Sequence, residues 1–391
     1  MNNTSTRNTI QFHGQGGEFF GIWIVNILLS VITLGIYSAW AKVRTKRYFY
    51  GNTELAGDNF EYHATPIQLL KGRLVALLVV LVWAVTNTIF PLFSALLLIA
   101  FYLALPWLMW SNARFDAAMT SYRNVHFAFN ASLSGAYTAI LGRGIVSLIV
   151  LGLYGSLVFA AAFSSGMAAM LLGLFGLVVA AVLYAWMAVG MHHYFANGYQ
   201  YGEWQFSAEL KTGFFASVYL KASLLGVLFS AIIGGVVLGY VFGSGVLMDL
   251  VNGDLSTLEN HSSLFVVPLM YALILIMSVV MTAYTTTRIR NYVFSCLRAQ
   301  QASDSEQTFT FSSTMGVWNY TTLVISNFLL QLVTLGLARP WVMVRTTRYV
   351  AANTAVLGDM TQLKAWDQDS EVKSAISDEL AQVFDLGMGI S

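Results

Sequence analysis

Charged residues are absent from long stretches of this chain and crowd into the short stretches between them. Leu74 to Trp110 holds no Asp, Glu, Lys or Arg over 37 positions, with Asn87 and Pro91 at its middle. That length predicts two membrane-spanning helices joined by a tight turn. Gly144 to Met191 reads the same way, with Ser164-Ser165-Gly166 as the turn. Ala222 to Met248 and Ser262 to Thr287 form a third pair, separated by a connector that carries Asp249, Asp254, Glu259 and His261. Two further uncharged segments flank these six spans, Phe19 to Ala41 and Met315 to Ala338. Each is about long enough to cross, but Asn26 and the helix-stopping Thr33-Leu34-Gly35 interrupt the first, and Asn319, Ser326, Asn327 and Gln331 make the second more polar. They are therefore read as either spanning or re-entrant. Alternation of period two appears only in short runs between these segments, as in Tyr50 to His63 and Asn197 to Ser207, which predict small hairpins. The expected fold is an all-α polytopic membrane protein: six firm helices in three hairpins, two terminal spanning or re-entrant segments, and small cytoplasmic β-hairpins between repeats.

A repeat underlies this pattern. Trp40, Arg44, Arg47, Tyr48, Asn52, Thr53, Gly57 and Asp58 return 301 residues later as Trp341, Arg345, Arg348, Tyr349, Asn353, Thr354, Gly358 and Asp359. Asn26 and Asn327, and Thr33-Leu34-Gly35 and Thr334-Leu335-Gly336, keep the same offset. Weaker copies begin at Trp107, Trp186 and Tyr284. The shared skeleton is an aromatic residue with partners four, seven and eight positions on, which share one helical face. An alternating pair of aromatics lies downstream of each of the first four copies, at Phe60-Glu61-Tyr62, Phe127-Ala128-Phe129, Trp204-Gln205-Phe206 and Phe309-Thr310-Phe311, and Ile10-Gln11-Phe12 opens the series. The expected organisation is a single membrane domain with units near 10–59, 60–126, 127–203, 204–308 and 309–359, followed by a polar tail, 360–391.

Composition agrees with a lipid environment. The chain is 57% hydrophobic and 10% charged, against about 25% charged in an ordinary soluble domain. A net charge of +1 supplies no basic field for nucleic acid. One cysteine, Cys296, excludes an intramolecular disulfide framework. The N-terminus lacks the pattern of a cleaved leader. All twenty Lys and Arg fall outside the three turns within the paired spans, which puts those turns in the periplasm and the repeat motifs in the cytoplasm. That rule favours returning terminal segments, because two full crossings would carry the basic C-terminal region outside.

The segment Phe20 to Arg73, FGIWIVNILLSVITLGIYSAWAKVRTKRYFYGNTELAGDNFEYHATPIQLLKGR, closely resembles the start of the YjgN family of bacterial inner-membrane proteins. The likeness runs over nearly the whole chain, since TLGxxxxW returns at Thr334 to Trp341. It implies a multi-pass protein of the bacterial cytoplasmic membrane and brings no catalytic or binding residues with it.

Candidate chemistry is sparse. Arg44, Arg47, Arg345 and Arg348, beside Trp40 and Trp341, are placed to meet acidic lipid headgroups, although interfacial aromatics with arginine are also ordinary helix anchors. No acidic or basic residue lies within the apolar segments, which counts against an ion-coupled pump. Asn26, Asn87 and Asn327 could line a polar cavity or make interhelical hydrogen bonds. Gly235, Gly239 and Gly243 recur every fourth position, for packing within the chain or between copies in a homo-oligomer. His192-His193 point about 100° apart on a helix and cannot chelate together. No HExxH, CxxC, phosphate loop or nucleophile elbow occurs, so neither a metal, a cofactor nor an enzymatic role is expected. Two functional classes follow: binding or facilitated movement of a small or lipidic molecule, or a non-transporting scaffold that binds acidic lipids or protein partners.

Overall fold

A computed structural model describes residues 6–243, 263–301 and 307–366. The acidic connector at Asp249 to His261 and the tail from residue 367 lie outside the described residues.

Among these, ten helices occur in pairs, each pair framed by two short strands. The helices are α1 (Gly16–Ile32), α2 (Ser38–Gly51), α3 (Pro66–Ile89), α4 (Pro91–Ala118), α5 (Leu133–Ser164, with a π-helical stretch at Tyr137–Gly142), α6 (Gly166–Ala196), α7 (Thr212–Gly243), α8 (Ser263–Cys296), α9 (Val317–Val333) and α10 (Arg339–Ala352). Local signals start them: Thr65 and Gln68 form a reciprocal capping box before α3, and Pro66 and Pro91 stand at first-turn positions where a missing N–H costs nothing. Six of these helices are long and apolar enough to cross a bilayer. Their apolar side chains, among them Leu74, Leu148, Phe159 and Leu224, are mostly exposed, as befits helices facing lipid. Every helix packs against the next in order, and α10 returns to α1, so the pairs form a ring.

The strands overturn the all-α expectation. They are β1 (Arg7–Thr9), β2 (Gln11–Phe12), β3 (Thr53–Leu55), β4 (Asp58–Tyr62), β5 (Thr120–Tyr122), β6 (Val125–Phe129), β7 (Tyr199–Tyr201), β8 (Trp204–Ala208), β9 (Leu297–Gln301), β10 (Thr308–Ser313) and β11 (Thr354–Leu357). Instead of standing as separate hairpins they join into one antiparallel sheet of eleven strands, ordered β1-β11-β10-β9-β8-β7-β6-β5-β4-β3-β2. Its two ends are consecutive in the chain: Thr9 pairs with Ala355, Gln11 pairs with Glu54, and the Ile10 amide donates to the Thr354 carbonyl at 3.0 Å. The sheet thus closes nearly into a barrel, which removes the open edges that isolated hairpins would expose. The bonds that decide this are long-range. Phe127 pairs with Tyr201 across a whole spanning pair, and Trp204 with Gln301 across another. Local alternation carries no trace of such partners.

The lumen is the largest core among the described residues. Leu55, Tyr122, Val125, Tyr201, Trp204, Ala299, Phe309 and Val356 meet there, with Phe60, Phe127, Phe206 and Phe311 packed against them. Trp204, 1% exposed, meets Phe309 edge-on at 5.0 Å between ring centroids. Pairs of this kind contribute about 0.5–1.5 kcal/mol beyond area burial.

Neither terminal segment runs through as one continuous helix: each turns back on itself. Because β2 pairs with β3, both ends of the α1–α2 pair stand on the same barrel, and β10 with β11 does the same for α9–α10. Each pair reverses in five residues through left-handed backbone: Leu34 has φ 49° and Gly35 φ 91°, and Leu335 and Gly336 have φ 50° and 87°. The two leucines at these tips are 95% and 91% exposed. Left-handed backbone costs a leucine about 1–2 kcal/mol, and full exposure of its side chain is favourable only toward hydrocarbon.

Candidate functional site

The repeat skeleton resolves into two structural duties. Seven positions after the aromatic, a side chain reaches forward to the next unit: Arg47 Nη2 donates to the Ala64 carbonyl at 3.2 Å, Asn291 Nδ2 to Met315 at 2.9 Å, and Arg348 Nη2 to Gly14 at 2.8 Å. The last of these closes the ring from the final unit to the first. Arg47 Nε also donates to the Tyr62 carbonyl at 3.3 Å. The middle units make the same kind of bond from other positions, Trp110 Nε1 to Ala131 at 2.8 Å and Asn197 Nδ2 to Ala208 at 3.2 Å. Eight positions on, a tyrosine hydroxyl reaches back to the start of its own unit's first helix. Tyr48 accepts from the Gln15 amide at 2.8 Å, Tyr292 from Lys211 at 3.1 Å and Tyr349 from Gly316 at 3.2 Å, while Tyr194 donates to the Ser132 carbonyl at 3.0 Å. Burial is the largest influence on the Tyr48 phenol and pushes it above its ordinary range.

The other sequence candidates fall around the two terminal hairpins. Arg44 Nη1 donates to Asn26 Oδ1 at 3.3 Å and to the Tyr37 hydroxyl at 3.1 Å, and Arg345 Nη2 donates to Ser326 Oγ at 3.2 Å. Each of these arginines is therefore tied to the hairpin that carries it. Trp40 stacks on Tyr37 at 6.1 Å. Trp341 lies against Phe20 at 5.0 Å and covers Gly16 so closely that a Cβ there has no room. Gly16 is thus what lets α1 approach α10.

The three asparagines are not brought to one cavity. Asn26, 4% exposed, is bonded within its own hairpin. Asn327 donates to Thr346 Oγ1 at 3.0 Å in the equivalent hairpin and leaves its buried Oδ1 without a partner. Asn87 is exposed near the α3–α4 turn, where Ser94 Oγ donates to it at 3.1 Å.

What the hairpins do form is a groove between α1 and α2, with a volume of about 530 Å³. Asn26, Lys42, Thr45 and Lys46 supply its polar lining, and Trp23, Ile27 and Val31 its apolar lining. Lys46 Nζ stands 2.6 Å from Asp116 on α4 and 4.8 Å above the Tyr62 ring. Neither Trp23 nor Lys42 stands out in the sequence as a site residue. Their meeting depends on the reversal at Thr33 to Tyr37, which lays α2 back along α1. Among the described residues no group of three or more His, Cys, Asp or Glu is placed to hold a metal.

A family model described as "Bacterial protein of unknown function (DUF898)" matches residues 7–383. An inner membrane protein YjgN of Salmonella typhimurium is 28% identical over 393 residues, covering 94% of this chain and 93% of its own. Its namesake in Escherichia coli O157:H7 is 26% identical over 372 residues, covering 92% and 91%. The Escherichia coli K12 protein of the same name is also 26% identical, over 375 residues. No solved structure matches. The six apolar helices and the inner-membrane relatives together make this a multi-pass protein of the bacterial inner membrane. By a match that runs almost from end to end, the chain belongs to the DUF898 family, alongside the YjgN proteins.

Proposed function

We propose that the protein binds an anionic phospholipid of the inner membrane at its terminal hairpins and gives it a path between the bilayer and the helix ring. The groove between α1 and α2 carries this reading. Its lining combines lysine, threonine and amide groups with tryptophan, isoleucine and valine, a mixture that suits an amphiphile with an acidic head. A lysine near an anionic leaflet contributes about 1 kcal/mol, so the acyl contacts must add the rest. The apolar hairpin tips at Leu34 and Leu335 favour entry from the membrane side.

A scaffold that presents a basic surface draws less support. Arg47 and Arg348 are engaged by backbone carbonyls of neighbouring units, so they serve assembly before any partner.

Native mass spectrometry of the full chain released from nanodiscs tests the reading. Phosphatidylglycerol is expected to stay bound to the wild type, and phosphatidylcholine to leave. Lys42→Glu, which reverses charge in the groove, and Val31→Trp, which fills it, are each expected to lower phosphatidylglycerol retention about tenfold, the size of a 1.4 kcal/mol change. Retention equal to wild type in both variants would reject the groove as the site.

A further inference from the structure

The barrel lumen stands apart from the groove and plays no part in the reading above. It holds a partly open cavity of about 200 Å³ walled by Phe60, Phe127, Trp204, Phe206, Phe309 and Phe311 among others. Close-packed protein cores rarely leave voids larger than a water molecule, so a space of this size inside the principal core is conspicuous. Its polar wall atoms are already engaged. The Tyr122 hydroxyl donates to the Leu55 carbonyl at 2.7 Å, the Tyr201 hydroxyl to Tyr122 at 2.8 Å, and Trp204 Nε1 to Lys364 at 2.9 Å. The body of any occupant must therefore be apolar. An apolar cavity of about 150 Å³ accepts benzene, so this one accommodates about a fused pair of rings.

One end of the lumen is covered by the segment after β11. Met360 is buried there, and its carbonyl accepts from Arg123 Nη1 at 2.8 Å. At another part of the wall stand Phe294 and Thr354, and Arg290, outside the lining itself, lies against both. Its guanidinium carbon is 4.4 Å from the Phe294 ring centroid, and Nη2 donates to Thr354 Oγ1 at 3.1 Å. Its Nε is buried without an acceptor, and no carboxylate among the described residues pairs with it. A buried guanidinium with an unmatched donor is unfavourable unless an anion reaches it. A carboxylate accepts from Nε and a terminal nitrogen of the same guanidinium in the bidentate geometry arginine favours.

We infer that the lumen and Arg290 together form a binding site for a small amphipathic monoanion, an aromatic acid of about two fused rings with one carboxylate. The rings lie among the lumen aromatics. The carboxylate meets Arg290 at the wall beside Phe294, displacing the Thr354 hydroxyl from Nη2.

Calorimetric titration of the full chain in nanodiscs tests this with 2-naphthoate and its uncharged counterpart 2-naphthylmethanol. Both are expected to bind once per chain, the acid at least tenfold tighter. Arg290→Gln is expected to reduce the acid to the level of the alcohol and to leave the alcohol unchanged, and Arg290→Lys to fall between, since a single ammonium retains charge but not the fork. Ala299→Leu fills the lumen from a small wall residue and is expected to abolish both while the thermal midpoint holds. Phosphatidylglycerol retention, the readout for the α1–α2 groove, is expected to stay at wild type in every one of these variants. Absence of saturable binding to the wild type, naphthoate binding that survives Ala299→Leu, or an equal loss of both ligands in Arg290→Gln would each overturn the assignment.

Discussion

The two terminal units and the three central ones use the same strand-helix-helix-strand plan for different ends. In the central units the paired helices run to as many as 34 residues, with their charged residues confined to the ends nearest the barrel. In the terminal units they are 17 and 14 residues and the second helix is basic. Yet the bonds at the barrel are alike. Tyr48 and Tyr349 hold the starts of α1 and α9, and Arg47 and Arg348 clasp the neighbouring unit just as Asn291 does in a long one. Helix length in this fold is therefore free to vary, because the closed sheet and its latches set the ring without reference to how deep each pair reaches. A sector of shallow pairs is the result, with α10 against α1 at its centre.

The sharpest way to break that contrast is to ask where the tips lie. In a Cys296→Ser background, Leu92→Cys at the α3–α4 turn is expected to react with a membrane-impermeant maleimide added outside spheroplasts, and Leu34→Cys and Leu335→Cys to stay unlabelled. Labelling of either tip from outside would make the terminal pairs as deep as the central ones.

A smaller effect concerns the latches. Arg348→Ala and Arg47→Ala each leave buried carbonyls without their charged donor and are expected to cost about 1.5–3 kcal/mol. Arg44→Ala and Arg345→Ala, tied only within their own hairpins, are expected to cost under about 1 kcal/mol. Unfolding followed by tryptophan fluorescence in detergent checks the order, and equal losses in all four would show that the forward bonds have no special part in closing the ring.

Smallest of all is the tip itself. Gly35→Ala and Gly336→Ala place a Cβ on left-handed backbone at φ 91° and 87°, expected to cost about 1 kcal/mol each with little change in lipid retention. A neutral result would mean that the turn relaxes into another conformation.

Much of this was legible from residue order. Uninterrupted apolar runs such as Leu74 to Trp110 are a property of local composition, and they mark the spanning helices without knowledge of any partner. The reversal at Thr33-Leu34-Gly35 is likewise local, carried by helix-stop chemistry and by charge placement. The short hairpins about Gly57 and Gly202 could be seen too. Their union could not, because Phe127 finds Tyr201 and Trp204 finds Gln301 only after the intervening helices have folded back. The same holds for Arg47 and Arg348, which in sequence look like headgroup ligands and in the fold are spent on carbonyls.

Residue order by itself determined the solvent this protein lives in, which stretches become helices and where the chain turns, since each depends on hydrophobicity and backbone preference within a few residues. Tertiary structure alone decided that eleven strands share one sheet, that Ile10 seals it, and that Arg290 comes to rest beside an aromatic lumen. Hydrogen-bond partners in a sheet are set by proximity in space, and strands of two to six residues have too little local pattern to name partners so far along the chain.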